Sequence, residues 1–145
     1  MNEPTQKTIK KEPTIIVIED DVFIKEIIIT RLKKDGFNVL DAADGVSGLR
    51  LIESSSPDIV LLDLLIPILD GFELLARLNK SGLIKRIPVI VISNLAGEEN
   101  IKRAKNLGAK EYIIKAQSTT TQIIERIKDS LKNKNEPDIA ATVTG

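Results

Sequence analysis

A strict alternation constrains this chain more than any single motif in it. Five short apolar runs, rich in Ile and Val, are each followed by a longer stretch with apolar residues at helical spacing. The runs are predicted as strands over 14–18, 38–41, 58–62, 89–92 and 111–114. Strands that alternate with helices form βαβ units, and a parallel sheet follows because parallel neighbours need a crossover. The first, third and fourth runs are almost wholly apolar, as in strands covered on both faces. The second is mixed and suits an edge. Right-handed crossovers then put helices on both faces. Five such units in 145 residues make an α/β, flavodoxin-like doubly wound (βα)5 layout, with a parallel five-stranded sheet in the order 2-1-3-4-5.

The helices are legible from their inward stripes. The first follows Asp21, with Ile24, Ile27, Ile28 and Leu32 facing the core, and ends at Asp35-Gly36, where glycine supplies a left-handed cap. The second starts near Asp44 with Val46, Leu49 and Ile52 inward; the third starts near Asp70 with Leu74, Leu75 and Leu78. The fourth has Ile101, Ala104 and Leu107 before Gly108, and the fifth Ile123, Ile124, Ile127 and Leu131. Residues 1–13 and 133–145 are polar and Pro-bearing, and are expected to be a disordered arm and tail.

Composition removes several chemistries. The chain has no cysteine and no histidine, so disulfides, thiolate nucleophiles and imidazole bases or ligands are excluded. Lys+Arg and Asp+Glu balance at 21 each, which argues against direct nucleic-acid binding by the whole surface. The apolar runs are too short to cross a membrane, and the N-terminus has no apolar signal region. A cytoplasmic location without a membrane partner is expected.

The charged residues that matter sit at strand ends. Asp63 closes the third run and opens the segment DLLIPILDG (63–71). Glu19-Asp20-Asp21 closes the first. In open α/β sheets ligands gather at the carboxyl ends of the strands, so two strand ends deliver carboxylates to one place. Like charges repel, and a hard cation with oxygen ligands relieves the repulsion. We read an acidic Mg2+ pocket with Asp63 as its working residue. Helix capping accounts for one acid after the first strand and leaves two over.

Ser93 ends the fourth run, where it either caps the following helix or offers a hydroxyl to an anion above the sheet. Lys115 ends the fifth, as a solvated loop residue or an ion-pair partner for the acids. Tyr112 precedes it by three residues, and strand alternation puts its side chain on the face opposite that of Lys115; the plain alternative is a half-buried core aromatic with its hydroxyl in water. Acids, a hydroxyl and an ammonium at the ends of strands one, three, four and five are what phosphoryl transfer to a carboxylate requires.

From about Pro13 to Leu131 the chain resembles the receiver domain of two-component response regulators, stand-alone and chemotaxis-receiver-like. The resemblance rests on IIVIEDD, DLLIPILDG, VIVISN and LGAKEYIIKA, with 43 residues from Asp20 to Asp63, 30 more to Ser93 and 22 more to Lys115. It implies a receiver domain over 14–132 and makes Asp63 the phosphoacceptor. Asp20 would be a direct Mg2+ ligand, Glu19 a ligand through water and the Leu65 carbonyl a third protein ligand, with Mn2+ as an alternative ion. Ser93 would be the switch hydroxyl, Tyr112 the switch aromatic and Lys115 the phosphate-binding ammonium. Phosphorylation in the family draws the hydroxyl to the phosphate, turns the aromatic inward and remodels the face of helix 4, strand 5 and helix 5. Two positions depart from the pattern. Ala116 stands where a cis-proline is usual, which implies a differently shaped loop for Lys115, and Asn94 stands where a small residue is common, narrowing the phosphate entrance.

The expected protein is a phosphorylatable receiver with no attached output domain. Its phosphoryl donor is a sensor histidine kinase or a histidine phosphotransfer protein, because the chain has no histidine of its own. Its output is a downstream protein target. It catalyses only its own phosphorylation and dephosphorylation. The main alternative is a degenerate receiver that binds a partner without phosphorylation. A phosphatase of the haloacid-dehalogenase type is disfavoured because Leu65 stands where such enzymes have a second Asp, and the long insertions they need are missing.

Overall fold

A computed structural model describes residues 12–134. Five strands alternate with five helices: β1 Thr14–Ile18, α1 Val22–Lys34, β2 Asn38–Ala42, α2 Gly45–Ser55, β3 Ile59–Leu62, α3 Gly71–Ser81, β4 Val89–Ser93, α4 Glu98–Asn106, β5 Glu111–Ile114 and α5 Thr120–Lys134. Short 3-10 turns at Leu83–Lys85 and Lys115–Gln117 complete it. The sheet is parallel throughout, in the order β2-β1-β3-β4-β5. Most of the predicted arm and tail lies outside the described residues. Asn133 and Lys134, the first two residues of the expected tail, belong to α5.

Strand alternation divides the core. Ile16, Ile18, Val60, Leu62, Val89 and Val91 face α2, α3 and α4. Ile15, Val17, Ile59, Leu61, Ile90 and Ile92 face α1 and α5. β1, β3 and β4 are buried along their whole length, which explains their nearly uniform apolar sequence. β2, at the sheet edge, mixes buried Val39 and Ala42 with exposed Asn38 and Asp41.

One residue of the expected core is misplaced. Ile27 is 52% exposed, while Ile28, Ile29 and Leu32 are buried. The row through Ile28 and Leu32 faces the sheet and Ile29 fills its flank, so Ile27 falls on the solvent side.

Asp21, Asp44 and Asp70 cap α1, α2 and α3, accepting from the N–H groups of Ile24 (3.1 Å), Ser47 (2.8 Å) and Glu73 (2.9 Å). Hydrogen bonds from Ser47 hold the Asp44 carboxyl below its ordinary range. The loop between β3 and α3 is fastened to α2: the Gly45 N–H donates to the Pro67 carbonyl at 3.2 Å. Within that loop Ile68 has φ 73° and is 79% exposed. A β-branched residue rarely takes this left-handed backbone.

Candidate functional site

β1 and β3 are hydrogen-bonded neighbours, so their carboxyl ends open side by side. The Asp63 N–H donates to the Ile18 carbonyl at 3.0 Å, and the Glu19 N–H to Ala42 on β2 at 3.0 Å. These bonds fix where the two acidic side chains start. Glu19 and Asp63 are nearly sealed, at 1% and 3% exposure, while Asp20 is exposed. One oxygen from each of Glu19, Asp20 and Asp63 lies within 4.8 Å of the others. Asp21 stands apart as the cap of α1, so the acids after β1 divide between capping and the pocket.

Lys115, just past β5, completes the cluster. Its ammonium is 2.6 Å from Glu19 Oε1 and 2.7 Å from Asp63 Oδ2. The second oxygen of each carboxylate is held by backbone: Glu19 Oε2 accepts from the Asp21 N–H (2.9 Å) and Asp63 Oδ1 from the Leu65 N–H (3.0 Å). The buried pair therefore has a cation and two amides as partners, as buried charge requires. Burial pushes the Glu19 carboxyl up, and its bonds to Lys115 and Asp21 only partly oppose this. Burial alone would lower Lys115, but the two carboxylates outweigh it and hold the ammonium above its ordinary range.

Ser93 and Tyr112 meet at the loop after β4. Ser93 is fully buried, and its Oγ accepts from the Leu95 N–H at 3.2 Å. The Tyr112 hydroxyl donates to the Leu95 carbonyl. Both backbone groups of Leu95 are thus held by the residues expected to form the switch. Burial raises the Tyr112 pKa, and the Asp63 charge adds to it.

The profile of the response regulator receiver domain matches residues 15–128. The chain belongs to the response regulator receiver family.

Among similar proteins, the chemotaxis protein CheY of Treponema pallidum is 36% identical over 121 residues, covering 81% of this chain and 82% of that one. The probable transcriptional regulator ycf27 of Cyanophora paradoxa is 32% identical over 130 residues, covering 90% of this chain and 53% of that one. This receiver thus spans about half the length of ycf27 relatives. The CheY-like receiver domain protein of Methanospirillum hungatei superposes with a TM-score of 0.78 at 28% identity, over 86% of this chain and 97% of that one. Among the described residues no helix is long and apolar enough to cross a membrane.

Several expectations change in this receiver. Ser93 does not cap α4; the cap is Gly97, with no side-chain bond, because the loop runs four residues beyond Ser93 before the helix begins. The Tyr112 hydroxyl is not left to water but bonded to backbone. Lys115 lies in a 3-10 turn beyond β5, where strand alternation no longer sets its direction. No described peptide bond is cis, and Lys115 still reaches both carboxylates past Ala116.

One contact had no signal in the sequence. The Ala116 N–H donates to Asn94 Oδ1 at 3.0 Å, joining the loops after β4 and β5. Its partners are 22 residues apart, outside any helical or strand period.

Proposed function

We propose that this receiver accepts a phosphoryl group on Asp63 from a partner's phosphohistidine, in a Mg2+-dependent reaction in the cytoplasm. The observation that carries the reading is the buried Asp63 carboxylate held between a hard-oxygen cluster and the Lys115 ammonium. Three carboxylates are the donor set that Mg2+ or Mn2+ prefers over softer metals. Asp20, Asp63 and the Leu65 carbonyl would hold the ion directly, with Glu19 acting through water. Once bound, it would neutralise negative charge on the phosphoryl oxygens.

The chain's own residues do the rest. An Asp63 oxygen attacks phosphorus, and an O–P bond forms as the P–N bond to the donor imidazole breaks. The imidazole keeps the electron pair and takes up a proton from water. Lys115 exchanges its pair with the Asp63 carboxylate for one with a phosphoryl oxygen, whose negative charge it offsets. Ser93 exchanges its Leu95 partner for the phosphoryl group, which frees the Leu95 N–H and shifts the loop that Tyr112 also holds. Output then passes through the face of α4, β5 and α5 to a protein target. The donor is a sensor histidine kinase or a histidine phosphotransfer protein. No catalysis beyond the receiver's own phosphorylation and dephosphorylation is proposed.

Incubation with acetyl phosphate and Mg2+, followed by peptide mapping in a mass spectrometer, tests the reading. One phosphoryl group is expected, on the peptide that contains Asp63, and chelation with EDTA should remove the reaction. An unlabelled protein, or a label on another peptide, refutes it and leaves the phosphorylation-independent binding module.

The phosphoryl group should be long-lived. It is lost when water attacks in line with the Asp63 oxygen, and polar side chains near the phosphorus help to place that water. Leu65 and Leu95 flank the site at the two relevant loops and have no polar side-chain atoms. Placing a water is worth about 1–3 kcal/mol, roughly tenfold to a hundredfold in rate. A Leu65→Asn, Leu95→Glu double variant should lose phosphate faster by that factor in a phosphate-release assay. Equal decay rates in the two proteins sink the idea.

A further inference from the structure

The hydrogen bond between Asn94 and Ala116 lies outside the acid cluster, yet it acts on the one cation in it. The N–H that Asn94 holds belongs to the peptide plane that leaves Lys115. The carbonyl of that same plane accepts from the Ser118 N–H at 3.2 Å. The plane is therefore pinned at both ends, from β4's loop on one side and from its own turn on the other. With β5 paired to β4 through Ile114 just before Lys115, a fixed plane just after it sets the Lys115 Cα and the direction in which its side chain leaves. From there the ammonium reaches Glu19 at 2.6 Å and Asp63 at 2.7 Å.

Asn94 also stands between two residues with their own tethers. Ser93 Oγ accepts from the Leu95 N–H, and the Leu95 carbonyl accepts from Tyr112 on β5. The loop after β4 is thus tied to β5 by Tyr112 and to the turn after β5 by Asn94. Serine or alanine at 94 could not make the second tie, because neither places an acceptor at the reach of the Asn94 amide. Proline at 116 could not make it either, having no N–H.

We infer that Asn94 is a positioning residue for phosphoryl binding. It holds Lys115 on target through the Ala116 amide and couples that aim to the loop of Ser93. The inference rests on the phosphoryl-acceptor reading of Asp63 and adds to it a residue that acts through the Ala116 amide instead of through the acid cluster. Movement of the Ser93 loop on phosphorylation would pull on the Lys115 turn through this bond, so the hydroxyl and the ammonium would respond together.

The test uses beryllofluoride with Mg2+ as the phosphoryl mimic, with Mg2+ alone as the reference ligand, on wild type, Asn94→Ala and Asn94→Asp. In Asn94→Ala the Ala116 amide resonance should move and its hydrogen exchange should quicken. Beryllofluoride should bind roughly threefold to tenfold more weakly, the factor one net hydrogen bond is worth. Mg2+ alone should bind no more weakly, because its carboxylate ligands are untouched. Asn94→Asp keeps an acceptor oxygen at the same reach and should restore the Ala116 amide signature. An unmoved Ala116 amide in Asn94→Ala, or unchanged beryllofluoride affinity, overturns the inference. Equal weakening of both ligands overturns it too, since that marks general loosening of the fold. A wild type that binds no beryllofluoride defeats the phosphoryl-acceptor reading itself, and the positioning role with it; a failure confined to the variants defeats the role of Asn94 alone.

Discussion

Lys115→Ala is expected to slow phosphorylation of Asp63 by about a hundredfold to a thousandfold, and to tighten Mg2+ binding in the same protein. The two effects have opposite signs because the ammonium does two jobs. It lies within 2.7 Å of both buried carboxylates, so it competes with any cation for them. With the lysine gone, two sealed negative charges face one another without a counter-ion, and the pocket takes up Mg2+ more readily, by about tenfold, the equivalent of one pKa unit of charge interaction. Phosphoryl transfer loses a preorganised positive charge at the point where negative charge must be held. Labelling rates with acetyl phosphate and calorimetric Mg2+ titration read the two effects separately. Weaker Mg2+ binding in Lys115→Ala would mean that the lysine supports the metal ligands instead of competing with the ion.

Gly45→Ala is expected to lower stability by about 3 kcal/mol, a fall of roughly 10 °C in melting temperature. A β-carbon at Gly45 would sit 1.8 Å from the Leu69 carbonyl oxygen and 2.7 Å from the Leu69 β-carbon. The obstacle is backbone, which cannot rotate away like the end of a side chain. Either α2 or the loop from Asp63 to Gly71 must shift, and that loop holds the Leu65 amide on Asp63. The loss should therefore reach the acid cluster as well as the core. Gly36→Ala is the control. Gly36 has φ 95° with nothing within 4 Å, so its cost is backbone conformation alone, about 1 kcal/mol. Thermal melts that rank Gly45→Ala no lower than Gly36→Ala would show that the helix yields easily.

Much of this was legible in the sequence because strand ends are easy to find. A buried parallel strand is a short apolar run, and the first polar residue after it marks the rim where ligands collect. That rule placed Glu19, Asp20, Asp63, Ser93 and Lys115 without reference to distance. It failed where the answer depended on how elements turn against one another. Ile27 has the spacing of a core residue, but the rotation of α1 against the sheet decided that Ile29 goes in and Ile27 stays out. Ser93 has the chemistry of a cap and spends it on Leu95. Ile68 occupies a backbone region where turn chemistry predicts glycine or asparagine, so no local rule would have put it there. The bond from Ala116 to Asn94 joins two loops that only the pairing of β4 with β5 brings together.

That pairing also decides which part of the chain supplies the pocket's ammonium. In a chain leaving the ribosome, the acids are made first and Lys115 emerges 52 residues after Asp63. β5 then joins the sheet at its outer edge, beside β4. Before it docks, Glu19 and Asp63 have no ammonium to meet them, and sealing them from water would leave buried charge unpaired. The ammonium that pairs with both buried carboxylates thus comes from just past the last strand of the sheet to be made. Completing the sheet at β5 and bringing an ammonium to its acidic centre are therefore tied together, and a chain cut before β5 would leave Glu19 and Asp63 without that partner.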